Sequence, residues 1–70
     1  MEAWQQRIID EYDQLKERTN KLEAFRADEL WDELDLVSQT LMESQYLFMV
    51  GYGNILEKRI ERFEGEKKDA

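Results

Sequence analysis

The sequence predicts an all-α fold, an antiparallel two-helix hairpin that assembles into a helical homo-oligomer. Three observations predict it. The 70-residue chain has no proline, and its three glycines all lie in the second half, so long helices are permitted. Apolar residues recur at helical spacing in two segments separated by a short acidic one. The apolar faces are wider than one helix–helix seam covers, and exposed apolar surface of that extent marks an interface. A single domain of this length, residues 1–70, buries a small core and needs a staple. With no cysteine and no histidine, disulfides and most zinc or transition-metal sites are removed, so oligomerisation is the favoured staple.

The first helix is predicted over about residues 3–26, a run of good helix formers in which Thr19 and Asn20 are the weak spots. At about 100° per residue, Trp4, Ile8, Tyr12, Leu15, Leu22 and, at the margin, Phe25 share one broad face. Residues 27–36 follow as an acidic reversal. There Asp28, Glu29, Asp32, Glu33 and Asp35 surround Leu30, Trp31 and Leu34, with room for a helical turn of their own. Acidic residues are favourable just ahead of a helix, whose N-terminus carries partial positive charge.

The second helix is predicted over about residues 37–64. Its start is capped either by Thr40, with Glu43 three residues on, or by Ser38. Val37, Leu41, Phe48, Tyr52, Ile55, Leu56, Ile60 and Phe63 share its apolar face, and Met42 and Met49 widen it. Gly51 and Gly53 interrupt the middle, each costing about 1 kcal/mol relative to alanine in a helix. They serve either a close helix–helix approach or bend, or room for a ligand or a partner backbone. Gly65 reads as a C-cap, followed by a frayed tail over residues 65–70.

The formal net charge of −7 argues against a DNA or RNA polymer as partner, because like charges repel at long range. The longest apolar stretch, Tyr46–Val50, is far too short to span a bilayer. The N-terminal run Met1–Arg7 lacks the apolar segment of a secretory leader, and the absence of cysteine fits a reducing compartment. A cytoplasmic protein is the expectation. Without histidine, cysteine, a glycine-rich phosphate loop or a nucleophile elbow, catalysis finds no support. The carboxylates follow helical surface spacing and form no metal-ligand set, so neither a metal nor a cofactor is expected.

Several polar residues and one aromatic stand out. Arg7, Gln14, Arg18 and Lys21 share one flank of the first helix, at spacings of 7, 11 and 14 from Arg7. They form either a solvated edge, with pairs such as Arg7–Glu11 and Glu17–Lys21, or a phosphate-binding edge supplying charge-assisted donors. Gln45, Tyr52 and Arg59 recur every seven residues within the apolar face of the second helix. An arginine buried there needs a partner. Either Glu11 supplies it, or several copies of Arg59 meet an anionic ligand on a symmetry axis. Trp4, near the terminus, either staples the oligomer or stacks on a base.

The run Trp4-Gln5-Gln6-Arg7-Ile8-Ile9-Asp10-Glu11-Tyr12, then Leu15-Lys16, Lys21-Leu22 and Phe25, resembles the opening of a family of short phage proteins. Gln45, Met49, Tyr52, Ile55-Leu56 and Arg59-Ile60 continue the likeness. That family is similar to the phage anti-CBASS cyclic-oligonucleotide sponge of the second described type, and the resemblance runs from about residue 4 to residue 63. It implies a compact helical homohexamer that sequesters cyclic di- and trinucleotide immune signals in the host cytoplasm without cleaving them. It places a dinucleotide between protomers, with Trp4 stacking on a base where relatives often have tyrosine, and Lys21 near the phosphates. It assigns Arg59 to a trinucleotide site near the symmetry axis. Together with the basic flank and Tyr12, the candidate ligand-binding residues are Trp4, Arg7, Tyr12, Arg18, Lys21 and Arg59. The other readings are an acidic helical adaptor that binds a protein and no small molecule, and an acidic mimic of nucleic acid. Arg59 and Gln45 inside the apolar face speak against both.

Overall fold

The computed structural model describes residues 1–69, with side chains to residue 65. Helix α1 spans Ala3–Arg26, a single 3-10 turn spans Glu29–Glu33, and helix α2 spans Leu36–Asp69. The described residues contain no strand. The two helices run antiparallel side by side in a rod with extents of 53 × 16 × 14 Å.

Helix α1 begins at Glu2, whose N–H donates to Gln5 Oε1 at 2.9 Å, so one donor of the first turn is satisfied locally. The acidic reversal does contain a helical turn of its own. Asp28 caps it by accepting from the Leu30 N–H at 2.9 Å, and Gln39 Nε2 donates to the Trp31 carbonyl at 2.8 Å. Phe25 meets Trp31 edge to face, with ring centroids 6.0 Å apart.

Two expected boundaries are corrected. Helix α2 is capped by Asp35, not by Ser38 or Thr40. Asp35 Oδ1 accepts from the Ser38 N–H at 3.1 Å, and the Asp35 carbonyl receives the Gln39 N–H at 3.0 Å. Thr40 instead turns its hydroxyl back to the Leu36 carbonyl at 2.9 Å, a bond made inside a helix and not at its cap. At the other end the helix does not stop at Gly65 but continues to Asp69. No glycine among the described residues takes a positive φ, the geometry of a glycine C-cap. Ala70 lies outside the described residues.

The packing follows a narrow rule. On α2, Met42, Tyr46, Met49, Gly53, Leu56, Ile60 and Phe63 step by alternate fours and threes, and every one is buried or half-buried. On α1, Ile8, Tyr12, Leu15, Thr19, Leu22 and Arg26 do the same. This is the spacing of a two-helix seam with a 3.5-residue period. Its centre is Ile8, Leu56 and Phe63, with Ile9, Tyr12, Leu15 and Ile60 packed around them. Gly53 faces α1, where a Cβ would meet Leu15 Cδ2 at 3.8 Å, an ordinary contact that leaves room for a small side chain. Gly51 faces open space, so nothing within the chain requires its small size. The Arg26 guanidinium closes the seam near the reversal, 4.7 Å from the Tyr46 ring centroid and 3.6 Å from Glu43.

Candidate functional site

The apolar face expected on α2 is in fact two stripes. One residue before each seam position lies a second heptad-spaced row: Leu41, Gln45, Phe48, Tyr52, Ile55, Arg59 and Arg62. Every member is exposed. Phe48 keeps 79% of its surface in solvent, Leu41 65% and Ile55 57%. On α1 the corresponding row is Arg7, Glu11, Gln14, Arg18 and Lys21, also exposed throughout. In an antiparallel pair, positions that precede the seam on each helix fall on the same side. The Tyr52 hydroxyl donates to Glu11 Oε1 across the pair, which ties the two rows into one face. That face combines the basic flank of α1 with the uncovered apolar row of α2.

The opposite face differs in chemistry. Lys16, Asn20, Val50, Asn54 and Glu57 border a groove of about 140 Å³ over Gly53. Opposite charges and amides alternate there, and no basic cluster forms.

The Glu11–Tyr52 bond corrects one expected partner. Glu11 does not form an ion pair with Arg59; it accepts from Tyr52 instead. Arg59 is exposed and not buried, because it sits on the uncovered row and not in the seam. The bond to the Glu11 carboxylate is the main reason that the Tyr52 phenol ionises above its usual range, with Arg59 pulling weakly the other way. A phenol whose folded value is raised contributes stability below its ordinary pKa, and that contribution is lost as pH rises through the raised value. The expected Arg7–Glu11 ion pair does not form among the described residues, whose ion pairs include Lys21–Glu17 and Arg26–Glu43. Glu17 and Lys21 do meet at 3.1 Å, with both side chains largely in solvent, a pair of small energetic weight.

The candidate residues fall into two groups. Trp4 and Arg59 come together at the open end of the hairpin, where Trp4, Arg59, Arg62 and Phe63 line an open recess of about 250 Å³. Phe63 holds the Trp4 ring edge to face at a centroid distance of 5.6 Å, yet half of Trp4 remains exposed. Lys58 and Ile55 extend the same surface along α2. Arg7 stands one turn along α1 from Trp4. Arg18 and Lys21 are elsewhere: seventeen residues separate Trp4 from Lys21, so their backbones are about 25 Å apart at 1.5 Å per residue. Trp4 and Lys21 of one chain therefore do not reach the same small ligand. Tyr12 lies in the seam, packed against the core.

Sequence reasoning missed Arg62. The signal was available, since Arg62 follows Arg59 by three residues on the same row, but the seam and the uncovered row had been merged into one face. Among the described residues no group of histidine, cysteine, aspartate and glutamate is arranged to hold a metal ion, and no helix is long and apolar enough to cross a membrane.

Comparison with known proteins accounts for nearly the whole hairpin. The chain is 39% identical over 64 residues to an uncharacterised 7.5 kDa protein from the denB-rIIB intergenic region of Enterobacteria phage T4, an alignment covering 91% of this chain and 100% of that relative. No solved structure matches the chain. A family model described as Sequestin matches residues 2–62, from the N-cap of α1 to the recess-lining arginine near the end of the hairpin, and the chain belongs to the Sequestin family.

Proposed function

We propose that this protein is a phage anti-defence sponge that binds cyclic di- and trinucleotide immune signals in the host cytoplasm and holds them uncleaved. The observation that carries the reading is the Sequestin match over residues 2–62. The geometry supports it in two respects. A half-exposed tryptophan beside guanidinium groups offers a base-stacking surface next to phosphate donors. The uncovered row on α2 supplies the apolar surface on which copies assemble, and a homohexamer is the assembly proposed.

Assembly also answers the separation of Trp4 from Lys21. In this reading Trp4 of one copy stacks on a base while Lys21 and Arg18 of a neighbouring copy meet the phosphates. Arg7 and Arg59 supply further positive charge at the Trp4 end. Tyr12 contributes indirectly, by packing in the seam about two turns along α1 from Trp4.

Calorimetric titration with cyclic dinucleotides and trinucleotides, followed by chromatography of the recovered ligand, tests the proposal. The expected outcome is reversible binding with the nucleotide returned intact. Trp4→Ala and Lys21→Ala are each expected to weaken dinucleotide binding by roughly tenfold or more, since stacking and charge-assisted hydrogen bonds are each worth about 1–3 kcal/mol. Both variants should keep the mass of the assembly. Cleaved nucleotide would make the protein an enzyme. No binding across the panel would favour a protein-binding adaptor that uses the exposed Leu41–Phe48–Ile55 surface.

A further inference from the structure

We propose that Trp4, Arg59 and Arg62 of a single chain form a site for one nucleotide with its phosphate, and that this site accepts open-chain nucleotides as well as cyclic ones. The inference rests on the sequestering function proposed above and extends its ligand class. It also assigns a binding role to Arg62.

The recess has the size and chemistry for one nucleotide. Its volume is about 250 Å³, below the roughly 300–1,000 Å³ of pockets that enclose a whole drug-sized ligand. It is lined by one indole, one phenyl ring and two guanidinium groups. Phe63 packs against the indole in a T-shaped pair and half of Trp4 stays in solvent, so stacking on the exposed half needs little further ordering of the ring. Arg59 and Arg62 are three residues apart on a continuous helix, and side chains at that spacing are neighbours on one face. Two adjacent guanidinium groups suit phosphate oxygens, which accept paired N–H donors.

Location adds to the argument. Lys58 and Glu61 both border the adjoining surface and Arg7 stands one turn from Trp4, while Asp28, Glu29, Asp32, Glu33 and Asp35 lie at the opposite end of the rod. The N-terminus of α1, beginning at Ala3, adds partial positive charge at the same end. None of these contacts requires a closed ring in the ligand. A base to stack and a phosphate to grip are sufficient, and an open-chain nucleotide has both.

The test uses adenosine 5′-monophosphate, guanosine 5′-monophosphate and a cyclic dinucleotide as probes on the full chain. Trp31→Phe supplies a background in which Trp4 is the sole indole, and Trp4 fluorescence reports occupancy. Saturable quenching by the mononucleotides is expected, with at least a tenfold loss of affinity in both Arg59→Gln and Arg62→Gln. Inorganic phosphate should compete, and adenosine without phosphate should bind at least tenfold more weakly than its monophosphate. Circular dichroism and light scattering of each variant separate loss of binding from loss of fold. Should Arg62→Gln unfold the chain, Arg62→Lys keeps the charge and removes the paired donors, and a reduced affinity in a folded Lys variant supports the site. Cyclic dinucleotide binding with no mononucleotide quenching would overturn this proposal and leave the sponge reading standing. Mononucleotide binding without any cyclic nucleotide binding would support the recess and overturn the sponge reading. Equal affinities in wild type and both glutamine variants would remove Arg59 and Arg62 from the site.

Discussion

Two rows of α2 differ by one residue in register and by everything in environment. The seam row, through Leu56 and Phe63, is covered by α1; the neighbouring row, through Phe48 and Ile55, is not. Leu56 is wholly buried while Phe48, the larger side chain, keeps 79% of its surface exposed. Hydrophobicity alone does not separate these rows. What separates them is that a pair of helices in contact along a 3.5-residue period covers one narrow strip of each. The surplus apolar row must be covered by something other than α1, or remain in water at a cost in solubility.

The contrast is broken most strongly at the seam. Leu56→Ala is expected to destabilise the chain by about 2–5 kcal/mol, the cost of emptying a tightly packed leucine site, measured as a large drop in the thermal midpoint. Phe48→Glu is expected to act differently. Helicity of the hairpin should be largely retained, while light scattering should show a lower mass than wild type if copies assemble through this row as proposed. Equal loss of helicity in both variants would mean that the two rows form one core and that the hairpin does not fold apart from its neighbours.

The smallest expected effect lies outside both rows, at the cap of α2. Hydrogen bonds from the Ser38 hydroxyl and N–H hold the Asp35 carboxyl below its ordinary pKa. A depressed folded value contributes stability above the unfolded value, near 3.8, and that contribution disappears as pH falls through the folded value. Asp35→Ala should therefore lower the thermal midpoint slightly at pH 7 and leave it nearly unchanged at pH 2. A difference between the variant and wild type that persists at pH 2 would point to some role other than accepting hydrogen bonds.

Much of this fold was legible in the sequence, for identifiable reasons. The absence of proline and the helical spacing of Ile8, Tyr12, Leu15 and Leu22 marked α1 directly. The acidic reversal was legible because its residues favour a helix start. The cap was misplaced because Asp35, Ser38 and Thr40 all carry suitable side chains, and only backbone geometry chooses among them. Gly65 was misread because glycine permits a C-cap without requiring one. The division of the α2 face into two rows was not legible: assigning a residue to one row or the other requires the rotation of α2 about its axis, and that is set by contacts with α1. Arg59 was for that reason expected in the interior, and Arg62 was not expected at all. The pairing of Trp4 with Arg59 depends on the offset between the helices, which the contact of Trp4 with Phe63 reveals.

That same contact joins residues near the two ends of the hairpin, so zipping from the reversal would close the recess last. A helical hairpin that zips from its reversal brings Phe25 and Trp31 together early, through a short loop. Trp4 and Phe63 meet only after almost the entire chain has been drawn in. By the same logic the ends are the first contacts to open, since fraying begins at termini. A ligand held between Trp4 and the α2 arginines would act as a clasp across the two ends of the chain. Slower amide exchange in the first turns of α1 and in α2 around Phe63 would then accompany binding, with little change beside the reversal.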